Sequence, residues 1–175
     1  AFTVPFLCDA LEQSSLQPCT AQWKVNGVAE PDLTVHLARC RAGHPQRTLV
    51  VHGRTDVPGF VFDDVSTAGT TSLLSADGMA DRTWSVEPEE IGVPRARGAD
   101  LIVAPSVPAE QVCISVLDGT APLSWIDLIA ASTGAVLFQA GAARGLTDGY
   151  SAAREVLLSG AALAQLFRLR RASAT

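Results

Sequence analysis

The apolar positions of this chain follow two rhythms. From Thr48 to Val51 they form an almost unbroken run, as expected of a strand buried on both faces, and the run leads into His52-Gly53. A shorter segment, Gln22 to Val28, reads as a second strand. Between the two, Leu33, His36, Leu37 and Cys40 recur at helical spacing and give one apolar stripe, on which His36 is a helix-face residue. Pro31-Asp32 opens that helix, because proline is tolerated in a first turn and an acid suits the N-terminal dipole. A strand-helix-strand unit of this kind predicts a parallel sheet with a right-handed crossover, whose ligands bind at the carboxyl ends of the strands.

Farther along, Thr71 to Leu74 and Thr83 to Val86 read as two strands around the turn dipeptide Asp77-Gly78. Val107 to Val116, Leu123 to Gln139 and Thr147 to Leu169 are helical in pattern. The second is expected to loosen near Ser132-Thr133-Gly134; the third is expected to be capped by Thr147-Asp148 and divided at Gly160. Residues 1–19 suggest a short hinge-like helix around Pro5 to Leu11 and then a loop. Without repeat, linker or low-complexity tract, residues 1–175 read as one α/β domain. In it a mostly parallel sheet with flanking helices occupies residues 20–175.

Composition narrows the function classes. A chain of 175 residues with 47% hydrophobic content can bury a core, while only 18% charged residues implies apolar surface of the kind a partner covers. The net charge of −5, with bases clustered only at Arg168, Arg170 and Arg171, argues against nucleic acid. Those arginines suit the end of a helix. The longest apolar stretch, Trp125 to Phe138, contains Asp127 and falls short of the roughly 20 residues a bilayer requires. With no secretory signal, a cytoplasmic protein is expected. Cys8, Cys19, Cys40 and Cys113 lack zinc-type spacing and read as small buried residues, with a Cys8–Cys19 pair left open.

The chemistry gathers between Arg47 and Thr71, where a strand ends at His52-Gly53 and the chain then delivers adjacent carboxylates, Asp63 and Asp64. Gly53, Pro58 and Gly59 equally spell an ordinary surface loop with solvated acids; the alternative is a cation site at a strand end. Ser66, Thr70, Thr71 and Ser72 offer hydroxyls and amides to a phosphate, or simply form a turn.

Val50-Val51-His52-Gly53, Asp63-Asp64-Val65-Ser66 and Gly69-Thr70 together resemble the signature of the anthranilate phosphoribosyltransferases. Glu87-Pro88-Glu89-Glu90-Ile91-Gly92-Val93-Pro94-Arg95-Ala96 resembles a second segment of that family. Leu137 to Gly141, Ala153-Arg154-Glu155 and Ser159-Gly160-Ala161-Ala162 resemble its closing helices. Upstream, Leu11, Leu16, Pro18, Gly27-Val28 and Pro31-Asp32-Leu33 are similar to its hinge and the strand that follows. The resemblance spans nearly the whole chain and corresponds to the second half of a family member. The family's glycine-threonine-glycine-glycine-aspartate pyrophosphate loop and its lysine-histidine-glycine-asparagine motif do not occur. The chain also opens on Ala1, so half of a split or cleaved enzyme is the expectation.

The resemblance implies transfer of a phosphoribosyl group from phosphoribosyl pyrophosphate to a small aromatic acceptor. It implies Mg2+ held by Asp63 and Asp64, His52, Gly53 and Ser66 as binding residues beside it, and Asp9 at the acceptor site. It also implies a second polypeptide carrying the missing N-terminal half, and leaves a higher oligomer open. Two departures matter. About five more residues separate His52 from Asp63 than the family pattern has. The stretch Pro5-Phe6-Leu7-Cys8-Asp9 lacks the family's acceptor-binding arginine and has Asp9 in place of its asparagine. Ser132 likewise stands where the family has asparagine. A non-catalytic subunit of the same fold is the competing expectation, and a nucleoside-phosphorylase-like activity a third.

Overall fold

The structure, a computed structural model, describes residues 24–29, 31–33, 48–76 and 81–172. The hinge-like segment with Asp9, the helix stripe beyond Leu33 and the Asp77-Gly78 turn lie outside the described residues. So do Cys8, Cys19 and Cys40.

Strands β1 (Lys24–Gly27), β2 (Thr48–Arg54), β3 (Val61–Phe62), β4 (Thr71–Ala76) and β5 (Asp81–Val86) form one sheet in the order β1-β2-β4-β5, with β3 also on β2. Strand β2 is buried from Thr48 through Gly53, and its side chains alternate between two cores. Leu49 and Val51 join Leu73 beneath the helices, while Val50 packs with Leu74, Val28 and Leu33 on the other face. The unbroken apolar run therefore arises as expected from burial on both sides.

The α/β class stands, but the mostly parallel sheet does not. Among the described residues only β1 and β2 pair in parallel, whereas β2–β3, β2–β4 and β4–β5 are antiparallel. The strand-helix-strand pattern dictated only the first pairing. After β2 the chain reverses through β3 and the loop to Thr71, so β4 returns antiparallel against β2, and β4 and β5 make the antiparallel pair their turn signal predicted.

Strand β4 runs along one edge of β2 from Thr48 to Gly53. On the other edge β1 pairs with Thr48–Val51, and β3 takes over at Gly53 and Arg54. Two short strands thus share that edge end to end, and the chain leaves β3 at Asp63, beside the end of β1.

Helices α1 (Ala109–Leu117), α2 (Leu123–Gln139), α3 (Leu146–Leu158) and α4 (Ala161–Ala172) follow two 3-10 turns, Pro88–Ile91 and Gly98–Leu101. Helix α2 is unbroken through Ser132–Gly134, against expectation. Gly134 serves a close crossing instead: a Cβ there would meet the Tyr150 nitrogen at 2.5 Å, and one on Gly149 would meet the Gly134 carbonyl at 2.5 Å. The cap of α3 is Gly145, not Thr147-Asp148, although Asp148 lies in the first turn, where it suits the dipole. Gly160, at φ 70°, divides the last helical stretch as its conformational freedom predicts. Among the described residues no helix is long and apolar enough to cross a membrane.

Candidate functional site

Asp63 and Asp64 lie where β1 ends, immediately after β3 has taken the other half of the shared edge. Gly27 is crowded against the Asp63 backbone, so only a residue without a side chain lets the chain cross the strand end there. Gly53 works the same way on β2, since a Cβ would come within 2.7 Å of the Asp64 carbonyl and 2.8 Å of the Ser66 Cβ. Two glycines, one on each parallel strand, thus allow the acid pair to fold down onto the strands' carboxyl ends.

The two acids line a small pocket with Val25, Gly27, Val51, Val65 and Ser132. Helix α2 closes its inner side, and the Ser132 hydroxyl accepts a hydrogen bond from the Val65 backbone N–H at 3.3 Å. Burial pushes the Asp64 carboxyl up to about 7, the charge of Asp63 adds to the rise, and a hydrogen bond from Ser132 partly offsets both. The site is therefore a carboxylate pair in which one member holds its proton near neutrality unless a cation arrives. Among the described residues no group of three or more His, Cys, Asp or Glu side chains could hold a metal ion.

The loop after the acids is held by its own hydroxyls. Ser66 is buried; its Oγ donates to the Arg54 carbonyl at 2.6 Å and accepts from the Ala68 N–H at 3.1 Å, while its N–H donates to Thr71 Oγ1 at 2.8 Å. Thr70 donates to Glu87 Oε1 at 2.5 Å, and Arg95 bridges Glu87 and Glu89 at 2.8 and 2.7 Å. The acidic-proline segment after β5 thereby ties to the loop that follows the site. These contacts hold the carboxyls of Glu87 and Glu89 below the usual range, chiefly through Arg95.

His52 is 3% exposed, and its Nδ1 stands 3.0 Å from the Val28 carbonyl. A carbonyl only accepts, so Nδ1 carries the proton, and the ring clamps the end of β1 to β2. The long loop between His52 and Asp63 is packed. Thr55 Oγ1 donates to the Phe60 carbonyl at 2.8 Å, Asp56 accepts from the Gly98 N–H at 2.7 Å, and Phe60 meets Phe62 edge-on at 5.1 Å. Phe62 joins Ala68 and Leu101 in a core with Trp125 at its margin, seating β3 against the second 3-10 turn.

Residues 15–163 match the model of the glycosyl transferase family a/b domain. The chain belongs to that family. Within this glycosyl transferase family it is similar to the anthranilate phosphoribosyltransferase of Moorella thermoacetica, 35% identical over 152 residues that make up 85% of this chain and 42% of that protein. The same enzyme from Geobacillus kaustophilus is 34% identical over 71% of this chain and 35% of its own length. A crystal structure of anthranilate phosphoribosyltransferase from Thermus thermophilus superposes with a TM-score of 0.65 at 26% identity, covering 87% of this chain and 44% of that one. The chain thus spans roughly two fifths of the relatives it matches, and the expected family resemblance holds over most of its length.

For this glycosyl transferase family chain, the structure brings Asp63, Asp64 and Gly53 together at the strand ends. It places His52 and Ser66 behind them as residues engaged with backbone. Asp9 lies outside the described residues. Ser132 is the site member that spacing alone did not reveal. It is 68 positions after Asp64 in sequence, in an apolar helix, and its one signal was the family resemblance, in which it stands where the family has asparagine.

Proposed function

We propose that this chain is the acid-bearing part of a cytoplasmic phosphoribosyltransferase-like glycosyltransferase. It would transfer a phosphoribosyl group from phosphoribosyl pyrophosphate to a small aromatic acceptor, with another polypeptide supplying the pyrophosphate-binding half. Asp63 and Asp64 hold Mg2+ in this reading. The supporting observation is the adjacent carboxylate pair at the carboxyl ends of β1 and β2, built on Gly27 and Gly53. The donors fit the ion: magnesium takes oxygen ligands, keeps several waters and commonly binds through one or two carboxylates. Bound there, it would supply neutralisation of the departing pyrophosphate.

The chain's own residues prepare the pair. Ser132, which accepts from the Val65 N–H, hydrogen-bonds Asp64, His52 holds the end of β1 to β2, and the Ser66 contacts fix the turn that follows. Because Asp64 is pushed up to about 7, cation binding must displace its proton and strengthens as pH rises through neutrality.

The alternative is a non-catalytic subunit that binds the same partner. It is favoured by one observation: His52 Nδ1 and the Ser66 hydroxyl are engaged with this chain's own backbone. Intact masses of every polypeptide in a native preparation, followed by calorimetry on the assembled complex, separate the readings. Saturable Mg2+-dependent binding of phosphoribosyl pyrophosphate supports the enzyme, and tight protein association without ligand binding supports the subunit. Turnover by the purified chain alone would remove the need for a second half. Magnesium dependence that survives Asp63→Asn with Asp64→Asn would remove the metal assignment.

A further inference from the structure

The acid pair sits at the head of a loop that a distant part of the chain holds. Ser66, Thr67 and Ala68 are buried, yet no helix or strand takes over until β4 begins at Thr71. The loop's own hydroxyls leave one gap: Thr67 Oγ1 is enclosed without a hydrogen-bond partner among the described residues. An unpaired buried hydroxyl disfavours the arrangement that encloses it, so outside contacts must keep the loop in place.

Those contacts come from residues 87–96, which grip the loop at two points. The Ala96 N–H donates to the Thr67 carbonyl at 2.8 Å, and Glu87 Oε1 accepts from the Thr70 hydroxyl. Arg95 joins the two grips. It precedes Ala96 in the chain, and its Nη2 donates to Glu87 Oε2 at 2.8 Å, so a ring of Thr67, Ala96, Arg95, Glu87 and Thr70 closes on the loop. Two further bonds, from Nε and Nη2 to the Glu89 carboxylate at 2.8 and 2.7 Å, fix the plane of the guanidinium.

This clip has its own footing. Pro88, Ile91 and Val93 are buried, and the Val93 N–H donates to the Pro88 carbonyl at 2.9 Å, so the segment stays folded without Arg95. The side chains of Arg95, Glu87 and Glu89 are by contrast 43%, 41% and 54% exposed, and ion pairs that exposed add little to stability. What the arginine supplies is a fixed place for Glu87, and through it for Thr70.

We infer that Arg95 is a positioning residue for the acid pair: acting through Glu87 and Thr70, it holds the loop from Asp64 to Thr70 so that the two carboxylates stay at the strand ends. The hold on the loop needs no ligand. Its consequence for Mg2+ rests on the proposed function.

Amide hydrogen exchange and Mg2+ calorimetry on the full chain test it. The Val65, Ser66 and Ala68 amides each donate to a hydroxyl in or beside the loop, whereas Leu73 and Leu74 lie in the core of β4. Arg95→Met should speed exchange at the three loop amides at least tenfold, leave Leu73 and Leu74 within about twofold, and move the urea midpoint by less than about 0.5 M. Thr70→Val removes the hydroxyl at the other end of the relay and should give the same pattern. The double variant should exchange no faster than the faster single one, because both changes break one connection. Each variant should weaken Mg2+ binding at least tenfold. Wild-type loop exchange in both variants overturns the inference. So does acceleration spread equally over the loop and β4, which would make Arg95 a general structural residue, and so does faster loop exchange with unchanged Mg2+ affinity. If the unaltered chain binds no Mg2+, the proposed metal site fails, and the exchange rates alone decide whether Arg95 holds the loop.

Discussion

Gly27 and the backbone of Asp63 occupy adjoining space, and the missing side chain of Gly27 is what lets Asp63 cross the end of β1. An alanine at position 27 must push the acid pair away from the strand ends or force β1 apart from β2. Gly27→Ala is expected to destabilise the chain by about 3 kcal/mol, at the upper end of typical overpacking penalties, and to abolish the proposed Mg2+ binding. Chemical denaturation and calorimetric Mg2+ titration check the two effects. Wild-type values for both would show that Asp63 is placed by other means.

Asp64 makes stability depend on pH. Its folded value of about 7 lies above the ordinary 3.8, so the unfolded chain ionises first. Below about pH 4 both states hold the proton and no penalty exists. Between about pH 4 and 7 the folded state binds more protons than the unfolded state, so this residue's contribution to stability falls as pH rises, and above about pH 7 it levels off. The full loss is up to about 4 kcal/mol, at roughly 1.4 kcal/mol per unit. Denaturation midpoints from pH 4 to 8 should show the decline, Asp64→Asn should flatten it, and millimolar Mg2+ at pH 8 should restore much of it.

Helices α2 and α3 touch backbone to backbone at Gly134 and Gly149. Gly149→Ala sets a methyl group against the Gly134 carbonyl, and neither helix can yield without disturbing Ala130, Ala135 and Tyr150 in the core. A loss of about 2–3 kcal/mol is expected in equilibrium unfolding, whereas Gly145→Ala, whose Cβ would meet open space, should change stability by less than about 1 kcal/mol.

Asp127 is buried in α2, accepting from the Tyr150 hydroxyl at 2.9 Å and from Arg154 Nε at 2.7 Å. Burial pushes the Tyr150 phenol up to about 12, and the Asp127 carboxylate raises it further by holding its proton. Tyr150 is the only tyrosine of the chain, so an ultraviolet pH titration reads it directly. Asp127→Asn should move that titration down toward 10. Arg154→Met should destabilise by about 2 kcal/mol, less than for a fully enclosed pair because the arginine is 33% exposed. An unchanged phenol in Asp127→Asn would rule out the coupling.

Sequence alone determined what depends on neighbouring residues. The apolar run at Thr48–Val51, the helical periodicities and the break at Gly160 depend on which face each residue buries and which turns the backbone allows, and those are local properties. The acidic pair was legible for the same reason, as two carboxylates following a buried strand. Tertiary structure decided which segments lie side by side. The antiparallel return of β4, the sharing of one β2 edge by β1 and β3, and the approach of Ser132 to Asp64 depend on hydrogen bonds and packing between distant segments, and no local period encodes those. The same contacts made the His52 ring a clamp on Val28, and made Gly27 and Gly134 points of close approach where the sequence showed only small residues.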